Sequence, residues 1–219
     1  MKTALICGSS GFIGQNLTKR LKDEGYYVVG VDIREPQYIK PDKFYSLDLR
    51  HMFQCVNVFR ETDYDRVYQL AAEMGGAGFI FTGDKDAEIM TNSALININI
   101  AALAYNFKVK QLFFSSSVCA YSREQSLRLT KEEDIYPANP DSNYGWEKIF
   151  SERVYQAFAK NKGLNIRIAR FNNTFGPYCT WDGGREKAPA AICRKALTQD
   201  PIEIWGDGKQ IREFLYIDD

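Results

Sequence analysis

Residues 3–14 read TALICGSSGFIG, a short apolar run directly followed by three glycines at intervals of three residues. The run is long enough for a buried strand. The residues from Phe12 onward, FIGQNLTKRLKDEG, carry apolar side chains at helical spacing and end at Gly25, a glycine typical of a helix C-terminus. Gly8, Gly11 and Gly14 therefore lie in a turn that joins a strand to a helix, which predicts the start of an α/β domain.

The rest of the chain continues this alternation. Further strands are predicted at YVVGVDI, DRVYQLAA, QLFFSSS and NIRIARF. Helices are predicted from Ile89 to about Phe107 and over YGWEKIFSERVYQAFAKNKG, which ends at Gly163. Such alternation predicts a Rossmann-like doubly wound parallel sheet with helices on both faces. Beyond Phe175 a Gly/Pro-rich connection, a helix to about Thr198 and a hairpin-like turn at GDG predict part of a further lobe.

Composition argues against several classes of function. Basic and acidic residues both number 28, so nothing favours nucleic acid or an anionic membrane as a partner. No run reaches the roughly 18 apolar residues of a membrane span, and the five residues between Lys2 and Gly8 are too few for a signal peptide. Five scattered cysteines without CxxC favour reduced thiols, so we expect a cytoplasmic protein that holds no metal. His51 is the one histidine.

The glycine turn has the pattern of a dinucleotide-binding site. A pyrophosphate needs close backbone and N–H groups at a helix N-terminus, where side chains would obstruct it. Asp32 ends the next strand 18 residues after Gly14, where a carboxylate can accept ribose hydroxyls and repel a 2′-phosphate. NAD is therefore favoured over NADP, while the nearby Arg34 keeps NADP as an alternative. Asp48 follows another strand and fits either the adenine amino group or a solvated turn.

A second group of residues is typical of hydride-transfer chemistry. Tyr144 and Lys148 in YGWEK lie one helical turn apart, and an ammonium beside a phenol lowers the phenol pKa, which makes a base. Such a pair often arises by chance, but the preceding strand ends in three serines, and Ser117 can bond the same sugar oxygen. In extended backbone Ser117 and Cys119 share a face, so both can reach one ligand. Cys119 taken alone fits a small buried hydrophobic residue equally well.

These features resemble the short-chain dehydrogenase/reductase superfamily, in particular its extended branch that acts on sugar nucleotides. A closer resemblance, to the GDP-mannose 3,5-epimerases of the NAD-dependent epimerase/dehydratase family, rests on LAAEMGGAGFI, SSSVCAY, YGWEK, RFNNTFGP, GGREKAPAA and WGDGKQIREF. It implies that a GDP-sugar is epimerised through a transient 4-keto intermediate, from GDP-mannose to GDP-L-galactose or its 5-epimer. The alternatives are a 4-epimerase, a 3,5-epimerase/4-reductase, and an NAD-binding sensor that would not need the Tyr/Lys pair.

The resemblance also implies roles for single residues. Cys119 and Lys187 would exchange protons across the sugar ring, although Lys187 alone fits a solvated loop charge, and Tyr144 with Lys148 would be the redox pair. The predicted cofactor-binding residues are Gly8, Gly11, Phe12, Ile13, Gly14, Asp32, Asp48, Leu49, Ala71, Tyr144 and Lys148. The implied substrate-binding residues are Gly75, Gly76, Ser117, Cys119, Asn173, Glu186, Lys187, Ala188, Lys195, Gln210 and Arg212, with Asn173 and Lys195 on pyrophosphate oxygens.

The same resemblance predicts the domain organisation. Residues 1–176 would form the NAD-binding domain and residues 177–219 part of a substrate lobe, because the family chain continues past the final YIDD. A truncated fragment that binds NAD without activity is therefore a further alternative. A homodimer through the helices of Ile89–Phe107 and Tyr144–Lys162 is also implied.

Overall fold

The structure is a computed structural model that describes residues 1–122, 131–204, 207–209 and 212–219. Its central sheet has six parallel strands: β1 (Thr3–Cys7), β2 (Tyr27–Asp32), β3 (Lys43–Ser46), β4 (Arg66–Gln69), β5 (Gln111–Ser117) and β6 (Ile166–Phe171). Their order in the sheet is β3-β2-β1-β4-β5-β6. The order in which successive strands are added to the sheet reverses between β1 and β4. Doubly wound sheets bind ligands at this place, at the carboxyl ends of their strands.

Helices cover both faces of this sheet, as the sequence predicts. They are α1 (Phe12–Asp23), α2 (Met52–Arg60), α3 (Ala77–Ile80), α4 (Asp86–Asn106), α5 (Asn143–Lys162) and α6 (Ala188–Thr198). One face packs α1 against β1 and β2, with Leu21 in one cluster with Ala4 and Val28. The opposite face packs α2, α4 and α5 against the sheet. Among the helices that the structure describes, none is both long and apolar enough to cross a bilayer.

Local sequence signals account for the main elements. The last four residues of β1 and four of the six in β2 are buried, as expected for strands covered on both faces. Helix α5 begins after Ser142, whose Oγ accepts a hydrogen bond from Gly145 N at 3.2 Å. It ends at Gly163, which has the left-handed backbone (φ 72°) that glycine adopts without strain.

The region after the central sheet differs from its prediction. Strand β7 (Asn173–Phe175) pairs in parallel with β8 (Phe214–Tyr216), so the strand described after GDG pairs with a segment before α6, and the described residues 201–204 before the turn form no strand. Gly206 of the predicted turn lies outside the described residues. The strand expected before Asp48 is β3, whereas helix α2, which has only nine residues, was not predicted. All five cysteines are free thiols.

Candidate active site

The glycine turn brings the ends of β1, α1 and β4 into close contact. Gly8 has φ +86°, and a Cβ there would lie 2.8 Å from Ala71 N. A Cβ on Gly14 would lie only 2.1 Å from the carbonyl oxygen of Gly8. Gly11 precedes α1, whose N-terminus has no side-chain cap. Free N–H groups and backbone without side chains therefore form a cradle that fits a pyrophosphate.

Asp32 lies beside this cradle at the end of β2. Its carboxylate accepts hydrogen bonds from Ser10 N at 3.1 Å and from Arg34 N at 3.2 Å. These two contacts hold the half-buried side chain at the carboxyl edge of the sheet. Phe12 and Ile13 form the first turn of α1 next to it. The arrangement fits the ribose of a dinucleotide bound at the glycine turn.

The Asp48 carboxylate bonds to Arg50 within its own turn. Its Oδ2 lies 2.6 Å from Arg50 Nη2, and its Oδ1 accepts a hydrogen bond from Arg50 N at 2.9 Å. Hydrogen bonding from Arg50 lowers the pKa of the Asp48 carboxyl. Leu49 beside it is buried. The carboxylate thus stabilises the segment after β3, and its contact with adenine stays a prediction.

Tyr144 and Lys148 are both buried on α5, facing the end of β5. Lys148 Nζ donates to the Ser115 carbonyl at 3.0 Å and lies 5.4 Å from the centroid of the Tyr144 ring. Burial raises the pKa of Tyr144 well above its ordinary value, with a smaller opposing effect from a hydrogen bond with Ser117. Burial also lowers the pKa of Lys148. The expected lowering of the Tyr144 pKa is therefore wrong, because the loss of water around the phenolate is the largest effect on this group.

Cys119 follows β5 in a single 3-10 turn, Val118–Ala120. The expected extended backbone is therefore wrong, yet Ser117 still adjoins Cys119, because its Oγ accepts a hydrogen bond from Cys119 N at 3.2 Å. The half-buried Cys119 side chain packs against the cluster of Ile80, Ile89 and Tyr144. A Cβ on Gly145 would lie 2.1 Å from the Cys119 carbonyl oxygen, so glycine allows α5 to approach this turn. Burial raises the pKa of the Cys119 thiol, which favours the neutral form.

Lys187 is the half-buried residue that immediately precedes α6. Burial lowers the pKa of its ammonium, while Cys119 and Cys179 act in the opposite direction. Lys187 in turn lowers the pKa of Cys119, so the two groups lie within electrostatic reach of each other. A thiol that keeps its proton and an amine that releases one more readily form a donor and acceptor pair.

The other implied substrate residues lie in several different segments of the chain. Gly76 N donates to Arg185 O at 3.1 Å, and a Cβ on Gly76 would lie 2.1 Å from Glu186 O, so the loop of Gly75 and Gly76 touches the segment that leads to Ala188. Asn173 on β7 donates to Glu213 O at 3.1 Å. The remaining three are Lys195 in α6, Arg212 just before β8, and Gln210, which lies outside the described residues.

Three residues near the site were missed by the sequence analysis. Arg185 contacts Glu73. It lies in the same GGREKAPAA motif as Lys187, and that motif was the available signal for it. Cys179 acts electrostatically on Lys187, and the only signal for it was a thiol in a glycine-rich loop. Glu147, the residue before Lys148, is fully buried, and its Oε1 accepts hydrogen bonds from the side chains of Asn97 and Ser151.

A glycine cradle beside a buried Tyr–Lys pair on a doubly wound sheet is the arrangement of a nucleotide-binding α/β domain. The NAD dependent epimerase/dehydratase family matches residues 4–219, and the chain belongs to this family. The predicted resemblance and fold class are thereby confirmed, and NAD is the family's cofactor, as predicted.

One sequence relative and two solved structures make the similarity more specific. The chain is 42% identical over 223 residues to the GDP-mannose 3,5-epimerase of Arabidopsis thaliana, covering 98% of this chain and 58% of that protein. The chain thus spans somewhat more than half of that relative. The structure of UDP-glucose 4-epimerase with UDP-glucose from Thermotoga maritima has a TM-score of 0.89 at 25% identity, covering 99% of this chain and 70% of that one. The UDP-glucuronic acid 4-epimerase of Bacillus cereus, in complex with UDP-glucuronic acid and NAD, has a TM-score of 0.84 at 26% identity, covering 99% and 69%.

Proposed function

We propose that this chain carries the NAD site and the proton-transfer residues of a GDP-sugar epimerase. The reaction would convert GDP-mannose to GDP-L-galactose or its 5-epimer through a transient 4-keto sugar. The observation that carries the proposal is the position of Cys119, which packs against the cluster that contains Tyr144 and lies within electrostatic reach of Lys187. Hydride transfer alone requires only Tyr144, Lys148 and Ser117, so a second proton-transfer pair at the same place supports inversion at carbon. The 42% identity to a GDP-mannose 3,5-epimerase supports the substrate.

The residues present fit NAD. Gly8 and Gly14 leave backbone open where any Cβ would fill the space, and Asp32 lies beside them at the edge of the sheet. Bound NAD would supply a reversible hydride acceptor for carbon 4 of the sugar, with no net consumption of the cofactor. The carboxylate of Asp32 would hold the ribose hydroxyls. The twelve-residue helix α1 would face the pyrophosphate with its N-terminus.

The chain's own residues would then move protons in sequence. Tyr144 would take the proton of the 4-hydroxyl, with Ser117 oriented toward the same oxygen. Lys148, whose Nζ lies 5.4 Å from the phenol ring centroid, would stabilise the phenolate when it carries its proton. A ketone at carbon 4 makes the neighbouring C–H bonds acidic. Lys187 as a neutral amine would accept a proton on one face of the ring, and the Cys119 thiol would supply one on the other.

Isotope exchange from heavy water tests this proposal. The 219-residue chain, loaded with NAD and incubated with GDP-mannose in D₂O, should place deuterium at carbons 3 and 5 or at carbon 5 alone. Hydride transfer at carbon 4 is internal, so that position should stay unlabelled. Deuterium at neither carbon 3 nor carbon 5 would remove the epimerase proposal for this chain. Mass spectrometry and proton NMR of the recovered nucleotide sugar measure the label.

A 4-epimerase is the second candidate. It is favoured by the solved relatives, which are 4-epimerases with TM-scores of 0.84 and 0.89. Such an enzyme would use Tyr144 and Ser117 and would have no need of the Cys119 thiol or the Lys187 amine. Its product would be inverted at carbon 4 without deuterium from the solvent. A 3,5-epimerase/4-reductase would label carbons 3 and 5 but would consume a reduced nicotinamide stoichiometrically.

Homodimer formation is proposed on the surface of α4 and α5. Leu95, Ile98 and Tyr105 on α4 and Trp146 and Phe150 on α5 are all at least 40% exposed and recur at helical spacing on one side of each helix. Analytical ultracentrifugation should find a dimer for the natural chain and a monomer for Phe150→Asp. A monomeric natural chain would contradict this proposal. A cytoplasmic location also stays a proposal, supported by five free thiols.

A further inference from the structure

A set of contacts holds the segment before α6 against the loop that follows β4. Arg185 Nη2 donates to Glu73 Oε1 at 2.9 Å, and Nη1 donates to Met74 O at 3.3 Å. The guanidinium carbon lies 4.2 Å from the centroid of the Phe79 ring. The backbone adds a fourth contact, because Gly76 N donates to Arg185 O at 3.1 Å. One arginine thus makes two side-chain hydrogen bonds and a ring contact with a single loop.

Glu73 is itself anchored to α4. Its backbone N donates to Ser93 Oγ at 3.0 Å, and its Oε2 accepts from Asn92 Nδ2 at 3.3 Å. The other carboxylate oxygen, Oε1, faces Arg185. The carboxylate therefore links a long helix of the NAD-binding domain to the segment that carries Lys187.

The segment that follows β4 also contacts the side of the proposed site that carries Cys119. Met74 and Phe79 pack in one cluster with Tyr144 and Cys119. Phe79 thus contacts this cluster and also lies under the guanidinium of Arg185. Arg185, two residues before Lys187, thus rests on a ring that packs against the same cluster as Cys119.

We propose that Arg185 is a positioning residue that holds Lys187 opposite Cys119, acting through Glu73 and Phe79. The inference rests on the proposed function, in which Lys187 and Cys119 exchange protons. Arginine suits this role because its planar guanidinium donates to a carboxylate and to a carbonyl while its face lies on an aromatic ring. Lysine cannot make this combination of contacts. Arg185 is 48% exposed and Glu73 25% exposed, so their ion pair contributes little to stability, and its value lies in placement.

Three variants and one matched control test the inference. Arg185→Ala and Glu73→Gln should slow deuterium exchange at carbons 3 and 5 by about ten- to a hundredfold, because a displacement near 1 Å costs on that order. Reduction of bound NAD by the sugar, followed by absorbance, should change less than twofold. The double variant should lose no more than the larger single loss, because the two residues act through each other. Glu61→Gln, which breaks the similarly exposed Lys43–Glu61 pair (43% and 21%), should leave both rates unchanged.

A second readout does not depend on activity. A short thiol–amine cross-linker should join Cys119 to Lys187 in the natural chain and in Glu61→Gln, as identified by mass spectrometry of the digested protein. Arg185→Ala should lower that yield about tenfold while NAD binding and the unfolding midpoint stay unchanged. Equal cross-linking in all variants would overturn the positioning role.

The outcomes separate the two proposals. If the natural chain incorporates no deuterium, the proposed function fails, and the cross-linking yield alone decides the positioning role. If the natural chain incorporates label and Arg185→Ala does so at the same rate, only the positioning role fails. A parallel loss of exchange, hydride transfer and unfolding midpoint would assign Arg185 a structural role instead.

Discussion

Substituting Gly14 by alanine tests the cofactor cradle most sharply. The added Cβ would lie 2.1 Å from the Gly8 carbonyl oxygen and 2.8 Å from Ser9 Cα, both backbone atoms that cannot swing aside. Ordinary contact begins at 3.4 Å, so α1 must move away from the turn by about 1.3 Å. This movement takes the N–H groups of the helix N-terminus out of reach of a pyrophosphate.

The expected loss of NAD affinity can be estimated from those N–H groups. Losing about two hydrogen bonds to a charged phosphate, at about 1.5–3 kcal/mol each, weakens binding by roughly 3–6 kcal/mol. A loss of this size raises the Kd by about a hundredfold or more. Isothermal titration of the purified chain with NAD measures the change directly.

Gly25→Ala is the matched control. Gly25 has φ +79°, so alanine is strained there by roughly 1 kcal/mol, but its Cβ would meet no atom within 4 Å. This variant should lose a little stability and keep its NAD affinity, which separates backbone strain from the clash. Wild-type NAD binding by Gly14→Ala, with the control also unchanged, would refute the assignment of the glycine turn as the cofactor cradle.

Three further predictions address the site and its support. Tyr144→Phe should keep NAD binding and abolish reduction of the bound cofactor by the sugar, measured by absorbance; undiminished reduction would contradict a role for the phenol. Glu152→Ala removes the partner of the largely buried Arg170, whose Nη2 lies 2.8 Å from Glu152 Oε2. It should lower the free energy of unfolding by about 3–5 kcal/mol in urea titrations, and a loss below about 1 kcal/mol would contradict a buried ion pair. The rate of exchange at carbon should rise with pH as the Lys187 ammonium deprotonates, which occurs below the ordinary lysine pKa of 10.5. The rate should fall again as the Cys119 thiolate forms, which occurs above the ordinary thiol pKa of 9.0. A rate that is independent of pH between 6 and 10, in steady-state exchange assays, would contradict this pair.

The parts of the site that the sequence predicts are those that local backbone geometry determines. Gly8 and Gly14 lie between a strand and a helix, where the reason for glycine is the close approach of neighbouring backbone. Tyr144 and Lys148 are one helical turn apart, so their shared face follows from the helix alone. The parallel pairing of the sheet likewise follows from alternating strands and helices, although the order of the strands does not.

The remaining features depend on contacts between distant parts of the chain. The turn at Cys119 forms where α5 crosses at Gly145, so spacing along β5 could not predict it. Arg185 and Glu73 are separated by 112 positions, and neither residue type signals the other. The direction of the Tyr144 pKa shift is set by burial in the folded protein, which the YxxxK spacing does not report.

The most direct measurement uses Cys119→Ser in heavy water, with Cys193→Ser, an exposed thiol on α6, as the control. The hydroxyl of serine is a far weaker acid than a thiol, so Cys119→Ser should bind NAD normally and leave carbons 3 and 5 of the sugar free of deuterium. Cys193→Ser should label them at the rate of the natural chain. Full labelling by Cys119→Ser would show that this sulfur transfers no proton to the sugar, and the account of the site would be wrong.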